Sequence, residues 1–191
     1  TAAQMAVGLG ADVTVIDRSL DVLRNLDSRF GSQIQTLYST RDSIEREVLA
    51  ADLVIGAVLV PGAYAPKLVS LELVEGMKNG SVVVDVAIDQ GGCFETSRPT
   101  THSAPTFEVN DVVHYCVANM HGAVAQTSAA ALNNATLPFV LELADKGSVA
   151  AMRGNESLRH GLNIYRGRVT NEQVSAAHGL VFTAPAELLA A

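Results

Sequence analysis

Ser81–Gly92 reads SVVVDVAIDQGG, and its interpretation decides the fold. Val82, Val83, Val84, Val86 and Ile88 form a short apolar run, rich in β-branched residues and without helical spacing. That is the pattern of a strand buried on both faces, as central parallel strands are. Two acids punctuate it: Asp85 within the run and Asp89 at its carboxyl end, just ahead of Gly91-Gly92. An open α/β sheet binds ligands just beyond the carboxyl ends of its strands. A carboxylate there, beside glycines that leave the backbone open to a ligand, is a candidate for chemistry. An acid ahead of glycine also caps turns, and both readings of Asp89 stand at this point.

The same pattern recurs on either side. Asp12–Asp17 (DVTVID) is a β-branched strand ending in an acid. Ser19 can cap a helix carrying Leu20, Leu23, Leu26 and Phe30, which Gly31 stops. Ile34–Tyr38 is a short strand, and Asp42 and Glu45 stand at capping-box spacing ahead of a helix with Ile44, Val48 and Leu49. Asp52–Val60 (DLVIGAVLV) is a second buried strand, stopped by Pro61-Gly62, and Leu71–Met77 is a short helix before the central strand. Strands alternating with short helices predict βαβ units, a parallel sheet and right-handed crossovers.

From Cys93 to Asp111 the pattern breaks into a long loop with Pro99 and Pro105, and Val112–Val117 is the last strand. Ala123–Lys146 reads as a long Ala/Leu helix that bends at Pro138. Ser148–Ala191 reads as two or three short helices with weak strand content. The composition shifts near Gly122, which sets a boundary between residues 1–122 and residues 123–191. Thr1–Val7 is already helical in character, with Gly8 and Gly10 as its stop signal. A chain that begins inside a helix, with no strand ahead of it, reads as part of a larger protein.

Composition narrows the class. The chain has 191 residues, 48% hydrophobic and 17% charged, enough to bury a sizeable core. Thirteen basic against twenty acidic residues give −7 with no basic patch, which argues against nucleic acid as a partner. No apolar run reaches the length of a membrane span, and no signal peptide opens the chain. Cys93 and Cys116 have neither C-x-x-C nor a histidine spacing suited to zinc, so no metal site is expected. They read as reduced thiols of a cytoplasmic protein.

Individual residues carry two readings each. Asp17 ends a strand, one helix on from where a dinucleotide fold carries its glycine loop. There a carboxylate accepts both hydroxyls of an adenosine ribose and repels a 2′-phosphate; alternatively Asp17 caps the helix at Ser19. The glycine loop itself is not found. Gly8-Leu9-Gly10 follows a helix and precedes a strand, the reverse of what phosphate binding needs, and neither a P-loop nor G-x-S-x-G is present. Val58-Leu59-Val60-Pro61-Gly62 is either an ordinary strand terminus or the floor of a nicotinamide pocket. Ser39 reads as a turn residue and Arg98 as a solvated charge unless a phosphate is near. Among the five histidines, His102 and His160 read as loop residues, His114 alternates within a strand and His178 lies on a terminal helix. His121, at a strand end, is open to a functional role, although a lone histidine is usually structural.

Taken together, YS (38–39), DLVIGAVLVPG (52–62), VVVDVAIDQGGCFE (82–95), HYCVANM (114–120) and LPFVLELA (137–144) closely resemble bacterial alanine dehydrogenases over essentially the whole chain. DVAIDQGGCFE together with VANM is the specific part. The resemblance implies a Rossmann-like doubly wound parallel sheet that binds NAD, its first strand and glycine loop ahead of Thr1, followed by C-terminal helices belonging to a catalytic domain. It implies that Asp17 binds the adenosine ribose and that Ser39 lies by the adenine. By the same analogy Val58, Leu59, Val86, Ala87, Ile88 and Asp89 line the nicotinamide side, and Arg98 is near the cofactor phosphates. Val117, Ala118, Asn119 and Met120 would close the site, and Asp89 matches the family's catalytic aspartate.

The implied reaction is the reversible oxidative deamination of L-alanine to pyruvate and ammonia in a homo-oligomer, a hexamer by analogy. On this reading the 191-residue chain alone is incomplete and inactive. His121 and Ala125 stand where the family usually has proline, which should loosen the hinge between domains. Two alternatives are weighed against this reading. The NAD-binding part of a proton-translocating transhydrogenase is expected to lack an acid at Asp89 and to read N-G-G-N-C-E where this chain has QGGCFE. A non-catalytic NAD-binding module is the other, and turnover of L-alanine separates it from an enzyme.

Overall fold

The computed structural model describes residues 1–190. Its N-terminal part is built in two pieces, a two-stranded parallel sheet and a four-stranded mixed sheet, with helices between the strands. Helix α1 (Ala2–Gly8) leads into β1 (Thr14–Asp17), α2 (Leu20–Phe30) and β2 (Gln35–Tyr38). β1 and β2 run parallel with Asp17 opposite Tyr38. Ser19 caps α2, its Oγ accepting from the Val22 N–H at 3.3 Å.

Helix α3 (Arg41–Ala50) crosses to the second piece. That piece comprises β3 (Leu53–Gly56), β4 (Val82–Asp85), β5 (Thr106–Val109) and β6 (Val112–Tyr115), in the order β3-β4-β6-β5. Helix α4 (Leu71–Glu75) lies between β3 and β4 in sequence, capped by Ser70. β3, β4 and β6 are parallel, and β5 is an antiparallel edge. β1 and β3 each keep one edge without a strand partner among the described residues. The core lies under β4, where Val74, Val83, Phe94 and Val112 are fully buried; each such side chain contributes about 1.5–3 kcal/mol.

Several expectations are corrected. The central strand stops at Asp85, and Val86–Gln90 is a turn of 3₁₀ helix. Asp85, not Asp89, therefore ends the strand, and Ile88 is a turn residue. β3 stops at Gly56 instead of Val60 because its last rung pairs Gly56 with Asp85, after which its partner turns away. For the same reason β6 ends at Tyr115, opposite Val84. The α3 capping box joins Thr40 and Ser43, not Asp42 and Glu45. Thr40 Oγ1 accepts from the Ser43 N–H at 3.0 Å and Ser43 Oγ from the Thr40 N–H at 2.9 Å.

The long loop after Cys93 contains β5. It turns into β6 through Asn110-Asp111, both with positive φ (51° and 61°), with Val109 opposite Val112. That is the backbone of a two-residue type I′ hairpin.

A 3₁₀ turn (Met120–Val124) leads into α5 (Ala125–Lys146), which runs through Pro138. Beyond it lie α6 (Ser148–Gly154), α7 (Glu156–His160), a hairpin of β7 (Ile164–Tyr165) and β8 (Arg168–Val169), α8 (Glu172–His178) and α9 (Pro185–Ala190). Four short helices thus stand where two or three were expected, and His160 ends a helix instead of lying in a loop.

Candidate functional site

The carboxyl ends of β3, β4 and β6, three neighbouring parallel strands, feed three loops into one region: residues 57–62, 86–97 and 116–122. Three direct links join them, one of which is the Cys116 thiol donating to Ser97 Oγ at 3.7 Å. The Gln90 side chain pairs with the Val60 backbone as a strand would, its Nε2 donating to the Val60 carbonyl at 3.0 Å and its Oε1 accepting from the Val60 N–H at 3.3 Å. The Asn119 N–H donates to Asp89 Oδ1 at 3.4 Å. Asn119 is held in the left-handed conformation (φ 57°), and His102 Nε2 bonds its carbonyl at 3.0 Å. A carbonyl only accepts, so that ring nitrogen carries a proton.

The middle loop is organised by Asp85. Its carboxylate is fully buried. Oδ1 accepts from the Ala87 N–H at 3.0 Å, and Oδ2 accepts from the N–H of Cys93 (2.8 Å) and Phe94 (3.4 Å) and from the Ser97 hydroxyl (2.6 Å). Gly92 makes room for it: a Cβ there would lie 2.6 Å from Asp85 Oδ2 and 2.8 Å from Ser97 Cβ, and its φ is +75°. The glycine pair was expected to open the backbone to a ligand. Gly92 instead admits an internal carboxylate. On the other side of the loop, Lys67 Nζ donates to the carbonyls of Gly91, Gly92 and Phe94 at 2.6, 2.9 and 3.0 Å.

The side chains named from sequence divide by exposure. Asp89, Leu59, Val86, Ala118 and Asn119 face solvent, with Leu59 74% and Val86 49% exposed, so apolar surface lies open beside a carboxylate. Val58 and Met120 are half-buried. Ala87, Ile88 and Val117 turn their side chains into the core, so they can offer a ligand only backbone.

Asp17 and Ser39 are half-buried at the carboxyl ends of β1 and β2, joined by a bond from the Ser39 N–H to the Asp17 carbonyl at 3.0 Å. Asp17 Oδ1 accepts from the Ser19 N–H at 2.7 Å; no protein donor to its Oδ2 is found among the described residues. Capping and ligand binding are thus compatible at this carboxylate. Arg98 lies apart from these groups, its guanidinium 4.2 Å from the centre of the Phe107 ring of β5. Phe107 in turn stacks on the buried His114 at 4.9 Å. His114 Nδ1 bonds the Val112 carbonyl and Nε2 the Thr96 hydroxyl, a structural arrangement.

The cysteines are free and buried beside Asp85. The Cys93 thiol is pushed up to about 12, first by burial and then by the negative charge of Asp85 and a hydrogen bond to it. Cys116 is raised as well, chiefly by burial. Neither is a nucleophile in this setting.

Asp85, Lys67, Gln90 and Ser97 were not named as site residues from sequence. The signal available for Asp85 was a charge in the middle of an apolar run, which has to find several donors if it is to stay buried.

Comparison with known proteins matches residues 1–172 to the family described as alanine dehydrogenase/PNT, C-terminal domain. The chain is 56% identical to the alanine dehydrogenase of Halomonas elongata over 188 residues, 98% of this chain and 51% of that protein. It is 57% identical to the alanine dehydrogenase of Mycobacterium tuberculosis over 189 residues, 99% of this chain and 51% of that one. A solved L-alanine dehydrogenase superimposes with a TM-score of 0.81 at 51% identity, over 93% of this chain and 49% of that structure. The transhydrogenase of Sinorhizobium meliloti follows at a TM-score of 0.62 and 29% identity, over 78% and 42%. The chain spans about half the length of the curated relatives it matches.

Proposed function

This chain belongs to the alanine dehydrogenase/PNT family, and from that premise we propose that it forms the cofactor-binding half of an NAD-dependent alanine dehydrogenase. The reaction is the reversible oxidative deamination of L-alanine to pyruvate and ammonia. The observation that carries the reading is the solvent-facing Asp89 carboxylate, bonded by the Asn119 N–H, among the ends of three neighbouring parallel strands.

The residues present fit a dinucleotide. The unpaired Oδ2 of Asp17 suits ribose hydroxyls, with Ser39 beside it for the adenine side. The exposed Leu59 and Val86, with Val58 and Met120, offer the apolar surface a nicotinamide ring needs. Ala87, Ile88, Val117, Ala118 and Asn119 contribute backbone or small side chains around it. Arg98 would reach the phosphates only after leaving the Phe107 ring.

A nicotinamide held against Leu59 and Val86 would supply the hydride acceptor for the alanine α-carbon. Asp89 supplies the proton chemistry: its carboxylate accepts a proton from the substrate amine, or from the water that hydrolyses the imine. The Asn119 N–H on Oδ1 orients the group and leaves Oδ2 for that proton. Leu59 and Val86 would give the ring an apolar face to lie against. The boundary at Gly122, helices beyond it that pack with a catalytic domain, a homo-hexamer and a cytoplasmic setting complete the proposal.

The test is steady-state L-alanine oxidation by the full-length gene product and its Asp89→Asn variant. The substitution keeps the shape and removes the basicity, so kcat should fall by about 10²–10⁴ with the KM for NAD little changed. Near-normal kcat would remove Asp89 from the mechanism. Hydride exchange between nicotinamide nucleotides without alanine turnover would favour a transhydrogenase instead.

A further inference from the structure

We propose that Asp85 is a positioning residue for this reaction: its buried carboxylate gathers the N–H groups of Ala87, Cys93 and Phe94 and the Ser97 hydroxyl, and so fixes the turn that presents Asp89. The inference rests on Asp89 acting as proposed above. Asp85 touches neither the solvent side of the site nor Asp89. It acts through the 3₁₀ turn Val86–Gln90, which it caps by accepting from the Ala87 N–H.

The loop is gripped from two sides by opposite charges. Its amide groups point to Asp85, while the carbonyls of Gly91, Gly92 and Phe94 point to the Lys67 ammonium. Such an arrangement satisfies a buried carboxylate without an ion pair, because charge-assisted bonds to N–H and O–H donors replace its hydration. It also fixes the turn more closely than neutral groups would. Both oxygens accept from backbone N–H donors, Oδ1 from Ala87 and Oδ2 from Cys93 and Phe94. An asparagine here, in either orientation of its amide, sets an NH₂ group against a backbone N–H. Asp85→Asn therefore preserves volume but releases one side of the turn. Gly92 supports the assignment, since the missing Cβ is what allows the carboxylate to lie beneath the turn.

A role in stability alone would also explain a buried, fully bonded carboxylate. The two are separated by a double-mutant cycle in the full-length gene product, comparing wild type, Asp85→Asn, Asp89→Asn and the double variant. The readouts are kcat for L-alanine oxidation, KM for NAD and the thermal midpoint. If Asp85 works by placing Asp89, Asp85→Asn lowers kcat by up to about 10²-fold, the effect of roughly an ångström of misplacement. Added to Asp89→Asn it changes kcat by less than about twofold, because the group it positions is already gone.

A lowered thermal midpoint with near-normal kcat would overturn the proposal, as would a loss that multiplies with that of Asp89→Asn. Should Asp85→Asn fail to fold, Ser97→Ala carries the same cycle. It removes the 2.6 Å bond to Oδ2 and the weak contact from the Cys116 thiol at 3.7 Å, with a loss of about tenfold or less expected that disappears in the Asp89→Asn background. Persistence of the loss there would overturn the proposal. An active Asp89→Asn single variant is a separate result: it would defeat the reading of Asp89, and this inference with it.

Discussion

Gly80, Gly91 and Gly92 form a graded series in which φ is nearly constant while the surroundings change. Their φ angles are +80°, +88° and +75°, so alanine at each incurs a similar left-handed penalty of about 1–2 kcal/mol. A Cβ at Gly80 meets nothing within 4 Å, and at Gly91 it meets the Tyr64 ring at 3.3 Å. That ring is 69% exposed and free to move aside. At Gly92 the Cβ would stand 2.6 Å from Asp85 Oδ2 and 2.8 Å from Ser97 Cβ, and the carboxylate cannot retreat without releasing its donors. Overpacking of this kind adds about 1–3 kcal/mol. Gly80→Ala and Gly91→Ala should each cost about 1–2 kcal/mol, and Gly92→Ala about 2–5 kcal/mol. Urea titrations followed by circular dichroism give the three values from the midpoints at a common slope. A Gly92→Ala protein no less stable than Gly80→Ala would refute the reasoning, since it would mean that the carboxylate is not packed beneath the turn.

Two further outcomes follow from the site. The Cys93 thiol is raised from an ordinary value of 9.0 to about 12 by burial and by Asp85. Its folded-state pKa thus exceeds its unfolded one, so the associated stability is fully present below pH 9 and is lost as pH rises toward 12. The thermal midpoint should fall across that range, and fall less in Cys93→Ala; in native protein at pH 8 neither cysteine should react with a thiol reagent until denaturant is added. In the full-length gene product Asp17→Ala should narrow the preference for NAD over NADP, because a carboxylate at the ribose repels a 2′-phosphate. An unchanged ratio of kcat/KM values would leave Asp17 with only its bond to the Ser19 N–H.

The alternation of strands and helices was legible because apolar periodicity survives in the residues themselves, from Thr14–Asp17 through Val82–Asp85 to Val112–Tyr115. Strand ends were not. The apolar run at 82–88 continues past the strand because Ala87 and Ile88 are buried in a turn as thoroughly as strand residues are, and burial is what the pattern reports. β5 does not show as an apolar run, because Thr106–Val109 is a half-exposed edge. The adjacent Asn110-Asp111 was the available sign of a hairpin. The cluster at the strand ends followed from topology, since every parallel strand delivers its carboxyl end to the same side. The inner support of that cluster did not, because Asp85 and Lys67 act on backbone groups, and a sequence does not display which amides and carbonyls a loop will turn inward.

The open edges of β1 and β3 bear on how this 191-residue chain behaves at high concentration. Each of these strands pairs on one side only among the described residues. In β3, Leu53 and Ile55 are 50% and 40% exposed. Neither TVID nor LVIG contains the lysine or proline with which proteins commonly blunt an open edge. Free amides and carbonyls beside apolar side chains template the addition of another strand. The chain on its own should therefore self-associate as its concentration rises, by strand addition at the open edges of β1 and β3.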